Sequence, residues 1–430
     1  MSKAKSLVAL AKSDDIQANV TRVFDLMGGV TNVIRKGTTV VLKPNAGHAE
    51  PPETSVCTNP EVVRAVIREV KKAEPAKIIV AEAAAIGCDT LECLKVSGIQ
   101  AVCEEENVEM RDIKRDKDLV KVAVRGYRSN ISAVKLPRFL LEADHLINLP
   151  ILKAHASMVF SGALKNIKGV VQDKVHMDMH KQNLTMAMMD VWSVCRADIN
   201  IMDAHRAASG YSPHMPVPID THMILGSKDP VAIDRVACEV TGIDTAGVDY
   251  FKVAEETGLG NYDMDQIDVV GDSIKDCFMK MWIPYIGDMS TRWPEYDVRC
   301  KGGCSSCQAL LAINMEELKA VDAYEENAGM TVVIGGLNEI PAEIPDEKIV
   351  LHGNCTKKYL KEHPGAYHIL GCPPNEPALY LTIQRHETID GTGDQEDEII
   401  RPCMARDAQV WRDYVFEKFE EYKKENPEAK

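Results

Sequence analysis

The sequence is poor in aromatic side chains and has no run of apolar residues long enough to cross a membrane. Aromatic residues make up 5% of the 430 residues, which makes the stacking platforms of single-strand nucleic-acid-binding proteins an unlikely feature. A membrane-spanning helix needs about 20 consecutive apolar residues, and the first residues lack the apolar core of a secretion signal. We therefore expect a cytoplasmic protein without membrane insertion.

Positive charge and glycine-rich phosphate-binding sequences are also scarce. The chain carries 65 Asp and Glu residues against 50 Lys and Arg, a net charge of -15. Nucleic acids and anionic membranes select basic surfaces, so we expect neither as a partner. No Gly-x-Gly-x-x-Gly follows a first strand and no Walker sequence is present, which gives nucleotide binding little support. We expect a small-molecule substrate or a redox partner protein instead.

Apolar runs of strand length alternate with segments of helical periodicity along most of the chain. The first helix is predicted over residues 15–36, and strands are predicted over 38–42, 77–82, 144–149 and 199–203. Such alternation with short links predicts an α/β fold with a mostly parallel sheet and helices on both faces. The proline-rich segment 210–218 is predicted to be a loop that lies over a cleft.

Composition and pattern divide the chain into four parts. Residues 1–275 form the main α/β domain, 276–297 a linker, 298–400 a smaller C-terminal α/β domain rich in cysteine, and 401–430 an acidic helical tail. The apolar stretch 278–285 leaves room for a homodimer contact.

Polar side chains gather where several predicted strands end. Loops at strand ends carry function in α/β folds, and cations beside amides suit an anionic or carbonyl-bearing ligand. In a redox reaction the lysines would stabilise growing negative charge and His155 would donate a proton, with Asp203 orienting them. We also expect Asp234 to contact Lys165 or Lys43. The predicted catalytic residues are Lys153, His155, Lys165 and Asp203, and the predicted substrate-binding residues are Lys43, Asn45, Asn148, Asn166 and Asp234.

Two more histidines, His176 and His180, are spaced four residues apart. On a helix this spacing puts both imidazoles on one face. A surface pair and a metal site both remain open, because no third ligand is evident from the sequence.

Cysteine is plentiful, with 13 residues in a large chain. An odd count without an export signal predicts reduced thiols with a metal or redox role. Cys304 and Cys307 are separated by two residues, while Cys355 and Cys372 each follow an apolar run that reaches a glycine. Thiolates suit iron–sulfur clusters and zinc, so both remain open for this set. Cys300 could replace one of the four or support them.

The late cysteine pattern resembles a known cluster site. The pattern is a Cys-x-x-Cys followed by two leucines, then Gly-x-Cys, then Gly-Cys-Pro-Pro-Asn. It is similar to the proximal 4Fe-4S site of nickel–iron hydrogenase small subunits and the related small subunit of respiratory complex I. The resemblance implies a 4Fe-4S cluster with zinc as the alternative, and it covers about the last third of the chain. Its implied ligands are Cys304, Cys307, Cys355 and Cys372.

A second resemblance covers most of the first 270 residues. Five motifs follow one another in the order of the domain-of-unknown-function family 362, whose members are often described as iron–sulfur centre proteins. Members commonly carry a closely spaced ferredoxin-like cysteine run, which this chain lacks, and the late cysteine set takes its place. The motifs are Lys43-Pro44-Asn45, Asn148-Leu149-Pro150 with Lys153 and His155, Ala163-Leu164-Lys165-Asn166, Asp203, and Asp229-Pro230-Val231-Ala232-Ile233-Asp234.

Two functions follow from the residues and the resemblances. The first is an iron–sulfur oxidoreductase that transfers electrons to a small anionic or carbonyl-bearing substrate held by the lysine, histidine and asparagine side chains. The alternative is a non-catalytic electron-transfer or cluster-binding protein that docks to a partner redox enzyme, where the acidic surface would steer a basic partner. A zinc-stabilised hydrolase or racemase on the same cleft is a third possibility.

Overall fold

The computed structural model describes residues 4–125, 129–156, 158–284, 289–390 and 399–429. The chain forms two compact units, the first comprising residues 1–283 and 422–430 and the second residues 284–421. The division falls inside the predicted linker, of which residues 285–288 lie outside the described ranges together with the end of the apolar stretch 278–285. The predicted acidic tail is divided between the two units.

The first unit contains most of the secondary structure. Its strands are β1 (Ser6–Lys12), β2 (Thr39–Pro44), β3 (Lys77–Glu82), β4 (Glu109–Asp112), β5 (Leu119–Ala123), β6 (Ala133–Pro137), β7 (His145–Leu149), β8 (Ile151–His155), β9 (Val159–Ser161), β10 (Ile199–Tyr211), β11 (Met215–Ser227) and β12 (Ile267–Gly271). Its helices are α1 (Ile16–Leu26), α2 (Pro60–Lys71), α3 (Thr90–Val96), α4 (Ile99–Glu105), α5 (Arg138–Glu142), α6 (Ala163–Asn166), α7 (Asp173–His180), α8 (Leu184–Val194), α9 (Pro230–Thr241), α10 (Asp249–Thr257) and α11 (Ile274–Cys277).

The main sheet of this unit is largely parallel. Its strand order is β12-β1-β11-β10-β7-β2-β3-β4, and β8 and β9 extend it beside β10. Strands β10, β7, β2, β3 and β4 run parallel, while β11 is antiparallel to both of its neighbours. Val40, Val41 and Leu42 of β2 are all fully buried, as expected for a strand covered on both faces. The prediction of an α/β fold with a mostly parallel sheet is confirmed.

The prediction of a loop over residues 210–218 is wrong. This segment comprises the end of β10, the turn and the first residues of β11 in a long hairpin, in which Gly210 pairs with Pro216 and Ala208 with Pro218. Strand β11 pairs with β1 only from residue 223 onward. The prolines therefore lie where β11 has one neighbour, which is where a strand tolerates a missing N–H donor.

The first helix is shorter than predicted. Helix α1 ends at Leu26 rather than residue 36. Gly28 and Gly29 follow with φ values of 99° and 89°, a left-handed backbone that glycine adopts readily and that terminates a helix. The apolar residues beyond them belong to a short 3-10 turn, Val30–Asn32.

The second unit is a smaller parallel α/β unit. It contains β13 (Asp297–Arg299), β14 (Thr331–Ile334), β15 (Ile349–His352) and β16 (Tyr367–Ile369), with helices α12 (Ser305–Ala320), α13 (Ala378–Arg385) and α14 (Arg401–Glu425), whose end from residue 422 is assigned to the first unit. The strands pair in the order β13-β14-β15-β16, and all three pairings are parallel. All four strands therefore present their carboxyl ends at one edge of the sheet.

Helices of the length and apolarity needed to span a bilayer are not found among the residues that the structure describes.

Candidate functional site

The cysteines predicted as cluster ligands lie at the carboxyl edge of the second unit's sheet. Cys304 and Cys307 follow β13, Cys355 follows β15 and Cys372 follows β16. Since parallel strands end at the same edge, loops far apart in sequence converge there. Cys355 and Cys372 are exposed, whereas Cys307 is buried.

The four thiols interact with one another. The thiols of Cys304 and Cys307 form a hydrogen bond, which lowers the pKa of Cys304 to about 6. The same hydrogen bond, followed by burial and the charges of the other three cysteines, raises the pKa of Cys307. Partial desolvation of the thiol group, in a residue that is exposed overall, raises the pKa of Cys355, and the charges of Cys304 and Cys372 add to this shift. The structure thus brings the four predicted ligands to one place.

Backbone groups surround these sulfurs closely. Cys304 is the N-cap residue of α12, and the N–H groups of Ser306 and Cys307 donate to its sulfur. The start of a helix favours an anionic thiolate. The N–H of Gly335, which follows β14, donates to the Cys355 sulfur. Gly353, which follows β15, has a φ of 93°, a backbone conformation that favours glycine, and a Cβ atom there would make only ordinary contact with Cys307 Sγ at 3.7 Å.

This donor set fits a 4Fe-4S cluster. Four thiols, two of which (Cys304 and Cys355) accept from backbone N–H groups of other residues, are a ligation and environment that such clusters take. In the described ranges, no three His, Cys, Asp or Glu side chains are already arranged around a single metal-ion position. Cys300 lines an open cavity of about 670 Å³ in the same unit.

In the first unit, Lys43 forms an internal ion pair. It is fully buried, and its Nζ lies 3.0 Å from both carboxylate oxygens of Glu82, the last residue of β3. The backbone N–H groups of Ala46 and Ala83 also donate to this carboxylate. Burial lowers the pKa of Lys43 and raises that of Glu82, while the pair itself opposes both shifts. A Cβ atom at Gly169 would lie 2.1 Å from Glu82 Oε1. Lys43, predicted to bind substrate, is therefore placed as an internal support.

The predicted asparagines form a buried chain of side-chain amides. Asn45 Nδ2 donates to Asn166 Oδ1 at 2.9 Å, Asn166 Nδ2 to Asn148 Oδ1 at 2.8 Å, and Asn148 Nδ2 to Asn200 Oδ1 at 2.9 Å. Satisfied buried amides rigidify the elements that they join, here the ends of β2, β7 and β10 and helix α6. Asn200 was not among the predicted residues.

The two predicted aspartates accept hydrogen bonds from backbone N–H groups rather than from lysine side chains. Asp203 accepts from the N–H groups of Asn59 (2.7 Å) and His205 (3.0 Å), and burial raises its pKa to about 6. Asp234 accepts from the N–H groups at the start of α6, at 2.6 and 2.9 Å, and burial raises its pKa to about 7. These bonds take the place of the expected contact between Asp234 and a lysine.

Three lysines form a cluster beside this network, and we call Lys153, Lys165 and Lys168 the lysine cluster. Lys153 Nζ donates to Asn45 Oδ1 (3.0 Å) and to a backbone carbonyl (2.7 Å), while Lys165 makes no hydrogen bond or ion pair with any described residue. Burial lowers the pKa of Lys153 and of Lys168 to about 8. Burial, then repulsion by the other two lysines, lowers the pKa of Lys165 further.

Histidines border the lysine cluster. Burial, followed by the charges of the three lysines, lowers the pKa of His155 well below its usual value. This shift favours the neutral imidazole, and the role of His155 as proton donor stays a prediction. His176 Nε2 donates to the Lys168 carbonyl oxygen at 2.6 Å, and Lys168 Nζ donates to His180 Nε2 at 2.5 Å. The two histidines thus face inward to Lys168 rather than forming a surface pair.

Besides Asn200, the sequence analysis did not identify two residues that support this site, Glu82 and Gly169. Glu82 ends a predicted strand next to the one that leads to Lys43, which was the available signal. Gly169 has no comparable signal, because the need for a missing Cβ comes from a partner distant in sequence.

Comparison with known proteins supports the second resemblance over part of the chain. A family model described as "Domain of unknown function (DUF362)" matches residues 40–239. A thylakoid-associated protein of Synechocystis sp. is 26% identical over 259 residues, which are 58% of this chain and 77% of that protein. The iron–sulfur link, the hydrogenase similarity and the cytoplasmic location stay predictions.

Two solved structures match this chain at a low TM-score. One is a Thermotoga maritima protein (TM-score 0.39, 12% identity, 90% of this chain and 95% of that chain). The other is the lactate racemase apoprotein of Thermoanaerobacterium thermosaccharolyticum (TM-score 0.39, 11% identity, 90% of this chain and 87% of that chain). Likeness at this level has no bearing on function.

Proposed function

We propose that this chain is a 4Fe-4S oxidoreductase that transfers electrons to a small anionic or carbonyl-bearing substrate. The observation that carries the proposal is the meeting of Cys304, Cys307, Cys355 and Cys372 at one edge of the second unit's sheet. These four thiols would hold the cluster, which when bound supplies single-electron exchange.

The protein's own groups around the thiols suit this role. Backbone N–H groups of Ser306, Cys307 and Gly335 donate to sulfurs, and such hydrogen bonds stabilise negative charge on the ligands. Ordinary buried cysteines need no such donors, since a neutral thiol behaves as a small apolar group.

The lysine cluster of the first unit supports an anionic substrate. Three lysines enclosed together repel one another, and a bound anion relieves that repulsion while gaining charge-assisted hydrogen bonds. Lys165, which has no partner among the described residues, is the group best placed to take a ligand oxygen. The buried pair of Lys43 with Glu82 and the asparagine chain would fix the backbone that carries these lysines.

The alternative function is a non-catalytic electron carrier. In that case the cysteine site would work alone and the lysine cluster would bind no substrate. Small anions would then leave the redox behaviour of the purified protein unchanged, whereas an oxidoreductase would respond to its own substrate class.

The first experiment is anaerobic purification followed by iron, acid-labile sulfide and zinc analysis. We expect about four irons and four sulfides per chain, as a 4Fe-4S centre requires, and an electron paramagnetic resonance signal after dithionite reduction. Cys372→Ala should lose or alter that signal. Cys300→Ala is the matched control, because Cys300 lies on the loop of Cys304 outside the proposed ligand set.

Zinc without sulfide would overturn the redox proposal and leave the lysine cluster to non-redox chemistry. An unchanged signal in Cys372→Ala with loss in Cys300→Ala would keep the cluster but replace one ligand.

A further inference from the structure

An open bowl lies beside the proposed ligand loops of the second unit. The cavity of about 670 Å³ is lined by residues of the loop after β13, the loop after β14 and the first turn of α12. The two loops are fastened together, since Lys301 N–H donates to Asn338 Oδ1 at 2.8 Å and Leu337 N–H to the Lys301 carbonyl oxygen at 3.1 Å. The bowl therefore shares its wall with the segment that carries Cys304 and Cys307.

Apolar side chains are exposed at this edge of the sheet. Leu337, in the wall of the bowl, is 66% exposed, and Leu370, two residues before Cys372, is 37% exposed. An isolated exposed leucine needs no explanation. Two of them beside exposed cysteines mark a surface suited to contact with another protein.

Four exposed lysines lie on the segments that follow β13 and β15, one of them, Lys358, over the ring of Tyr359. Lys301, Lys357, Lys358 and Lys361 are all exposed, and none forms an ion pair with another residue in the described ranges. Lys358 also reaches the bowl loop, because its Cε is 4.0 Å from the Cβ position of Gly336. We call these four lysines the basic rim.

The charge of this edge is opposite to that of the chain. The segments 299–308, 335–339, 353–362 and 370–374 contain five Lys or Arg residues and two acidic residues, Glu339 and Glu362, in a chain of net charge -15. Complementary potentials orient partners and speed their encounter.

We propose that the basic rim and the bowl dock a small acidic electron-carrier protein of the ferredoxin type. This inference rests on the cluster proposed above, since a single-electron carrier has no use for a surface without a redox centre. Weak redox encounters bury little area, which suits an open bowl with the exposed Leu337 in its wall. Charge then selects the partner, because an acidic carrier matches the rim and a basic one is repelled by it.

The test is calorimetry of the anaerobically purified full chain with an acidic plant-type 2Fe-2S ferredoxin, at low and at high salt. Cytochrome c, a basic electron carrier, is measured in the same way as the partner of opposite charge. We expect binding to the ferredoxin that weakens with salt. Reversal of two rim charges, Lys301→Glu with Lys358→Glu, should weaken it at least about tenfold, because like charges then face each other. Leu337→Ser should weaken binding without changing its salt dependence.

The matched control is Lys348→Glu. Lys348 is an exposed lysine of the same unit that immediately precedes β15, at the opposite edge of the sheet. Lys348→Glu changes the net charge by the same amount as each substitution in the basic rim. Equal weakening by Lys348→Glu and Lys301→Glu would show a non-local charge effect and overturn the proposal. Absent or salt-insensitive binding would overturn it as well.

Iron and sulfide are measured on the same samples, so that the cluster proposal and the docking proposal can each be rejected independently of the other. Iron and sulfide without ferredoxin binding would reject the docking surface and leave the cluster. Specific binding by protein that cannot take up iron and sulfide would reject the cluster and leave a docking surface of other purpose.

Discussion

The buried pair of Lys43 and Glu82 allows a sharp prediction about what holds the first unit's site in place. Both side chains are almost fully enclosed, at 1% and 2% exposure. Lys43→Met would leave the carboxylate with only its two backbone donors, from Ala46 and Ala83. Removing one partner of a buried pair costs about 3–5 kcal/mol, a large part of the roughly 5–15 kcal/mol that stabilises a folded protein. We expect Glu82→Gln to cost a similar amount, and the double variant to cost less than the sum.

The two single variants should respond to pH in opposite directions. Burial raises the folded-state pKa of Glu82, so without Lys43 its stability contribution is present at low pH and lost as pH rises. Burial lowers the folded-state pKa of Lys43, so without Glu82 the folded state releases its proton first and stability increases as pH rises. The slope reaches about 1.4 kcal/mol per pH unit where the two states differ by one proton. The double variant should show neither slope.

The assay is urea unfolding followed by far-ultraviolet circular dichroism at several pH values between about 4.3 and 10.4, the unfolded-state pKa values of Glu and Lys. Lys36→Met is the control, because the pair of Lys36 and Glu74 is 74% and 68% exposed and should contribute about 0–1 kcal/mol. Equal losses from Lys43→Met and Lys36→Met would refute the argument from burial. Unchanged stability with lost anion binding in Lys43→Met would instead show that Lys43 contacts the ligand directly, as its position after a strand first suggested.

Two further predictions concern the same unit. Gly169→Ala should destabilise this unit by about 1–3 kcal/mol or more through overpacking, since the new Cβ would stand 2.1 Å from Glu82 Oε1. The control is Gly47→Ala, whose Cβ meets nothing within 4 Å and which should be near neutral. Urea unfolding of both variants checks this, and equal effects would contradict it. Lys153 and Lys168 have pKa values lowered to about 8 by burial, so the folded state gives up protons that the unfolded state keeps until about pH 10.4. Stability should therefore rise over that interval by up to about 1.4 kcal/mol per pH unit for each lysine, and Lys165, whose pKa burial lowers further, adds to the rise. Lys153→Met should remove about a third of the rise that comes from the lysine cluster, and a flat profile in the native chain would contradict the enclosed placement.

The cysteine site was open to prediction because its signals are local. Cys355 and Cys372 each follow an apolar run that a glycine ends, and such runs become adjacent parallel strands whose carboxyl ends meet. What the pattern could not supply is the N–H donor from Gly335 after β14. A backbone donor leaves no side-chain signature, so its role emerges only when strand order is known.

The role of Lys43 shows the opposite case. A lysine at a strand exit gives the same sequence signal whether it faces a ligand or an internal carboxylate. The register between β2 and β3, in which Leu42 pairs with Val80, brings Lys43 beside the end of its neighbouring strand. That register depends on pairing between segments 38 residues apart and cannot be obtained from either strand alone. The loop prediction over 210–218 failed for a similar reason, because prolines exclude a strand only where both of its edges are paired.

The docking proposal depends on local charge rather than on the net charge of the chain. The value of -15 led us to expect an acidic surface that steers a basic partner. Charges on a protein surface act over a Debye length, about 8 Å at physiological salt, so a docking partner senses the side chains around its contact rather than the sum over 430 residues. Around the proposed ligand loops that local set is the basic rim. If the docking proposal holds, raising the salt concentration should weaken ferredoxin binding in the native chain much more than in the variant with reversed rim charges, and an equal effect in both would return the partner question to the whole-chain charge.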